Sequence, residues 1–135
     1  MKKTITIKFW KLSLIQAVVV LLALFASNIF ASFEIPLGIF LIFSILGAIG
    51  FSIFGTAITA WTMESVLAGD ELRNSFRALG RGSVKLSNAK RSFSPNFLFI
   101  LLKDKENRSY VNIPRPFWAD DPVLIKRILQ QVDNN

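Results

Sequence analysis

Two long uncharged runs, separated by a few residues, leave this chain little choice of fold. From Leu12 to Ala31 no side chain carries a charge, and only Ser13, Gln16, Ser27 and Asn28 are polar. A helix rises about 1.5 Å per residue, so such a run is about 30 Å long, the thickness of a bilayer's hydrocarbon core. A second uncharged run extends from Pro36 to Thr62. Proline is tolerated in the first turn of a helix, where its missing N–H has no intrahelical partner to lose. The connection, Ser32-Phe33-Glu34-Ile35, is so short that the two helices must be antiparallel neighbours. We therefore expect a transmembrane helical hairpin over residues 12–61, with spans at about 12–31 and 36–61.

The rival reading of the first run is a cleaved leader, for which Lys2, Lys3, Lys8 and Lys11 would form the basic start. A leader's apolar stretch is shorter, about 7–15 residues, and ends at a small-residue cleavage site that this chain does not clearly have. In that case the second run would still anchor the protein. Orientation follows from Lys and Arg near the ends of the spans. The basic N-terminus, residues 1–11, holds four Lys and no acid, the connection holds neither Lys nor Arg, and Arg73, Arg77 and Arg81 follow the second span. Both termini are thus expected in the cytoplasm, with Trp10 and Trp61 at the same interface. Gln16 and Asn28 suit local or interhelical hydrogen bonds better than a transport path, because no charge accompanies them.

The second span carries a ridge of small side chains: Ser44, Ala48, Ser52, Thr56 and Ala60 recur every four residues, beside Gly47 and Gly55. Helices in lipid gain no hydrophobic energy by meeting, so close approach of small residues decides where they touch. The ridge serves either the first span of the same chain or a homodimer or partner helix.

Residues 62–135 have the mixed composition of a soluble domain. The formal charge of +7 comes from 16 Lys and Arg against 9 Asp and Glu, and there is neither Cys nor His. Their absence removes disulfides, thiolate metal sites and the commonest nucleophile and base. We expect no cofactor, no metal and no enzyme. Arg73, Arg77, Arg81, Lys85, Lys90 and Arg91 form a run without an acidic residue. Near anionic headgroups such residues contribute about 1 kcal/mol each, so they are the expected lipid surface. Nucleic acid is a poorer match, since no aromatic stacking platform is interleaved with them.

Within this segment Asp70–Leu79 reads as a short interfacial helix or a first strand. Ser83–Ser87 alternates as a strand. Phe97–Leu102 is a continuous apolar run, and Ser109–Ile113 returns from the polar turn 104–107 to make a hairpin. Pro114 and Pro116 end it. Asp120 or Asp121 then caps a helix begun by Pro122, whose apolar set is Val123, Leu124, Ile125, Ile128, Leu129 and Val132. Arg115, Phe117 and Trp118 are either a partner contact or a cover for the core.

From Gly82 to Val132 the chain resembles the C-terminal half of the YcxB-like bacterial membrane proteins. The stretch that carries the resemblance is Tyr110-Val111-Asn112-Ile113-Pro114-Arg115-Pro116-Phe117 followed by a helix from about Asp120, together with the two-span layout ahead of it. The resemblance implies a small pleckstrin-homology-like domain, here reduced, since three or four strands are legible where the complete fold has seven. It implies no catalytic residues. The fold class expected is α+β: a two-helix membrane hairpin followed by a small cytoplasmic sheet with a C-terminal helix. The function expected is a membrane-anchored interaction or assembly protein that contacts anionic lipid headgroups or a membrane complex. The alternative is a membrane-active or immunity-type protein acting as a homo-oligomer.

Overall fold

The computed structural model describes residues 2–26, 35–75 and 82–135. It divides into two compact units, Phe9–Ile58 and a second made of Met1–Lys8 with Thr59–Asn135. The chain is α+β: two long apolar helices are followed by antiparallel sheets and a C-terminal helix.

The helices of the first unit are α1, Phe9–Ala26, and α2, Leu37–Thr62, whose last turn belongs to the second unit. Both are long and apolar enough to cross a membrane. α1 starts at Phe9 rather than Leu12, because Trp10 and Lys11 are as compatible with a first helical turn as with a flank. Ser27, Asn28 and the connection as far as Glu34 lie outside the described residues. The burial of these helices is inverted relative to a soluble helix. Leu14, Val18, Leu22, Phe43, Leu46, Phe51 and Phe54 are exposed, whereas Ser44, Ala48, Ser52 and Thr56 are buried.

The second unit holds seven strands among the described residues. They are Lys2–Ile5 (β1), Ser65–Ala68 (β2), Glu71–Asn74 (β3), Ser83–Lys85 (β4), Ala89–Ser92 (β5), Phe99–Asp104 (β6) and Tyr110–Pro114 (β7). Strands β1-β2-β3-β4 form one antiparallel sheet in that order, and β5-β6-β7 form another. The expectation of a basic N-terminal tail therefore misses a strand: Lys2–Ile5 pairs with β2, and Ile7 bridges to Ala119. Thr4-Ile5-Thr6-Ile7 is β-branched and alternating, and the alternation buries Ile5 and Ile7 while Thr4 faces solvent. Gly69, at φ 63°, and Asp70 close the tight turn between β2 and β3, where a left-handed residue matches strand twist. Asp70–Leu79 is resolved in favour of strand as far as Asn74, and residues 76–81 lie outside the described residues.

The sheets face each other across a core of Ile5, Leu72, Val84, Leu86, Ala89, Ile100, Leu102, Val111 and Ile113. The closing helix α3, Pro122–Asp133, adds Leu124, Ile125, Ile128, Leu129 and Val132. Val123, expected in that apolar set, is exposed, because it falls on the side of α3 away from its buried stripe. Of the two capping candidates it is Asp121 whose side chain accepts the Leu124 N–H, at 3.0 Å. A buried polar knot joins the sheets at one corner. Asn74 Nδ2 donates to Ser65 Oγ (2.8 Å) and to the Asn112 carbonyl (3.0 Å), while the Asn112 N–H donates to Asn74 Oδ1 (3.1 Å).

Candidate functional site

Within the first unit the small-residue ridge is the buried side of α2 at Ser44, Ala48, Ser52 and Thr56. Thr56 Oγ1 donates to Gln16 Oε1 of α1 at 3.0 Å, and the rings of Phe25 and Phe40 meet edge to face at 6.2 Å. Ser52 spends its hydroxyl on the Ala48 carbonyl at 2.6 Å, the back-bond open to a serine inside a helix. Gly55 faces Gln16, since a side chain there would meet its amide at 3.6 Å. Gly47 faces open space and Ala60 is half-buried, so neither extends the buried stripe. Gln16 thus makes an interhelical hydrogen bond. Asn28, its sequence counterpart, is outside the described residues.

In the second unit antiparallel pairing sorts the surface residues into two ends. Ile5 is level with Ser65 and Asn74, so β1 leaves and β2 enters at the same end. Two hydrogen bonds join that end to the segment after β7, Asp120 N–H to the Thr6 carbonyl (2.9 Å) and Lys8 N–H to the Trp118 carbonyl (2.7 Å), and Arg115 N–H to the Leu98 carbonyl (2.8 Å) ties the same segment to the start of β6. Within the smaller sheet, the turn between β6 and β7 lies at the opposite end from Leu98 and Arg115. Asp104 Oδ1 accepts the N–H of Glu106 at 2.9 Å and of Asn107 at 3.0 Å. The Asn107 N–H, then that of Glu106, hold the Asp104 carboxyl below its ordinary pKa, with Lys85 assisting.

The residues expected to form one lipid surface are distributed over both sheets. Arg73 points outward from β3 near the end where β1 leaves, and Lys85 and Lys90 stand toward the β6–β7 turn. Lys85 is opposite Glu71, and Arg91 pairs with Asp133 at 2.7 Å, an exposed ion pair of little energetic weight. Arg77 and Arg81 lie outside the described residues. A basic group not anticipated from the sequence forms on the outer face of the smaller sheet. Lys90 is opposite Lys103, and Lys103 opposite Tyr110, and these three with Arg108 line a shallow depression at the β6–β7 end, where three cations outnumber the one carboxylate, Asp104. Only register brings Lys90 to Lys103, thirteen positions later; alternation along each strand would have been the signal.

Arg115, Phe117 and Trp118 do come together, but with different roles. Trp118 is buried, and its ring packs edge to face with Phe117 at 4.9 Å and with Phe97 at 6.2 Å. Phe117 and Phe97 are exposed, as is Phe93 beside Arg115. The sequence placed Phe97 inside a strand, whereas Ser94-Pro95-Asn96 is a turn signal that delays β6 to Phe99. The chain thus presents a basic depression at one end of the sheet domain and an aromatic cluster at the other. Comparison with protein-family models, with curated proteins and with solved structures finds no match.

Proposed function

We propose that this is a small membrane-anchored interaction or assembly protein. In this reading α1 and α2 cross the bilayer as a hairpin, both termini are cytoplasmic, and the sheet domain meets lipid headgroups or a membrane complex. The observation that carries it is the joining of the two apolar helices to paired neighbouring strands of one sheet. β1 runs into α1 through Thr6, Ile7 and Lys8, and α2 runs into β2 through Met63 and Glu64. A hairpin so joined tethers a domain closely to a membrane. Exposed Leu, Ile and Phe around buried Ser and Thr suits lipid as the solvent of these helices. The burial of Ser44, Ala48, Ser52 and Thr56 within one chain supports packing of the ridge on its own α1.

We further propose that the domain is pleckstrin-homology-like, in the manner of YcxB-like proteins. Four plus three antiparallel strands followed by a C-terminal helix support this, with β1 supplying a strand from ahead of the hairpin. The depression lined by Lys90, Lys103, Arg108 and Tyr110 offers an acidic partner a binding surface. In-cell photocrosslinking from Tyr110 and from Ala48 tests the reading. It predicts a reproducible heterologous adduct at Tyr110, lost in the double variant Lys90→Glu, Lys103→Glu, and no intermolecular adduct at Ala48. Adducts to a second copy from Ala48, with none at Tyr110, would favour the homo-oligomeric alternative.

A further inference from the structure

We infer that Phe93, Phe97 and Phe117, seated around Trp118 and Arg115, form a lipid-interface anchor that holds the sheet domain on the membrane surface. The inference rests on the membrane-anchored reading above. Its starting point is exposure: Phe93 is 87% exposed, Phe97 69% and Phe117 59%, whereas Trp118 beneath them is 8%. Single apolar residues on a surface are ordinary, but three phenylalanines gathered on two neighbouring segments mark a surface that something apolar covers.

The cluster is built rather than loose. Asn96 Oδ1 accepts the Leu98 N–H at 2.8 Å, closing a turn that presents Phe97. Arg115 fastens that turn to the segment after β7, its N–H donating to the Leu98 carbonyl at 2.8 Å and its Nη2 to the Asn96 carbonyl at 3.3 Å. Trp118 then supports both Phe97 and Phe117 edge-on.

Its place in the chain identifies the occupant. The Trp118 carbonyl accepts the N–H of Lys8, and the next residue, Phe9, begins α1. The backbone under the cluster is therefore one residue from an apolar helix 18 residues long. Exposed Phe side chains bury into the boundary between headgroups and acyl chains when cations flank them, and here Arg115, beside Phe93, supplies a cation. The β6–β7 turn, one strand length away at about 20 Å, carries Lys105, Glu106, Asn107 and Arg108, with no apolar side chain.

The chain has no cysteine, so one introduced residue gives one label. The full-length variants Phe97→Cys, Phe117→Cys, Glu106→Cys and Leu46→Cys would each carry an environment-sensitive fluorophore. They would be reconstituted in vesicles of zwitterionic and anionic phospholipid containing spin-labelled lipids. The anchor predicts blue-shifted emission at 97 and 117, quenched by shallow spin labels, with red emission and no quenching at 106. The label at 46, on α2, is expected to be quenched by deep spin labels. If 46 is quenched while 97 and 117 behave like 106, the anchor is wrong and the membrane reading stands. Blue-shifted emission at 97 and 117 that lipid spin labels do not quench means that protein covers the cluster, which also overturns it. Absence of quenching at 46 removes the membrane reading and the anchor together.

Discussion

At the scale of single residues, the polar groups to watch are those that replace water with protein partners. Asn74 serves both of its neighbours at the sheet corner, and its removal would leave the Asn112 N–H and the Ser65 hydroxyl with lost bonds. Unsatisfied buried groups cost about 1–3 kcal/mol, so Asn74→Ala is expected to lower stability by about 2–3 kcal/mol in thermal or denaturant melts. Asp104 adds a pH dependence of definite sign. Its pKa is lowered in the folded chain, so its stabilisation is complete above the ordinary value of 3.8 and is lost as pH falls through the folded value. Asp104→Asn keeps an acceptor oxygen for the two turn N–H groups but does not titrate. The variant should therefore lose less stability than the parent as pH falls below about 4, read from melting temperatures at each pH. Asp121 is the simpler case: Asp121→Ala removes the α3 cap and should cost about 1 kcal/mol, again by melting.

At the scale of elements, the least obvious is β1. Ile5 is 4% exposed and belongs to the core cluster, although it precedes the first apolar helix. Ile5→Ala should cost about 2–5 kcal/mol, and a chain lacking residues 2–7 should lose the cooperative melting of its sheet domain. A basic tail with no structural part in the domain would leave that transition unchanged. In the hairpin, Ala48 is 1% exposed, so Ala48→Leu inserts a branched side chain where no room is left. It is expected to destabilise α1–α2 packing more than Thr56→Val, which removes one interhelical hydrogen bond of about 0.6 kcal/mol. Unfolding in detergent ranks the two. These elements also explain what the residues disclosed in advance. The apolar helices, the β6–β7 hairpin and α3 were legible because each repeats a local period and ends at Pro, Asp or a polar turn. Strand β1 was hidden by its own lysines, which count toward orientation and draw notice from the alternating Thr-Ile pairs. Strand β5 was hidden because Ala89 is its only buried position. The basic depression and the aromatic cluster depend on pairing register and on contacts between distant segments, which no local period encodes.

At the scale of the whole molecule, the chain has two kinds of surface. The helices expose apolar side chains and bury small polar ones, while the sheet domain has an ordinary apolar core and a basic exterior. The proposed function follows from joining these materials through two links of two and three residues. Its central claim is that α1 and α2 cross a membrane with both ends of the chain in the cytoplasm. Single cysteines at Ser32 and at Asn135 test this most directly, with a membrane-impermeant thiol reagent applied to intact cells and then to permeabilised ones. The account predicts that Ser32→Cys reacts in intact cells and that Asn135→Cys reacts only after permeabilisation. Reaction of Asn135→Cys in intact cells, or release of the protein from membranes by alkaline carbonate, would contradict it.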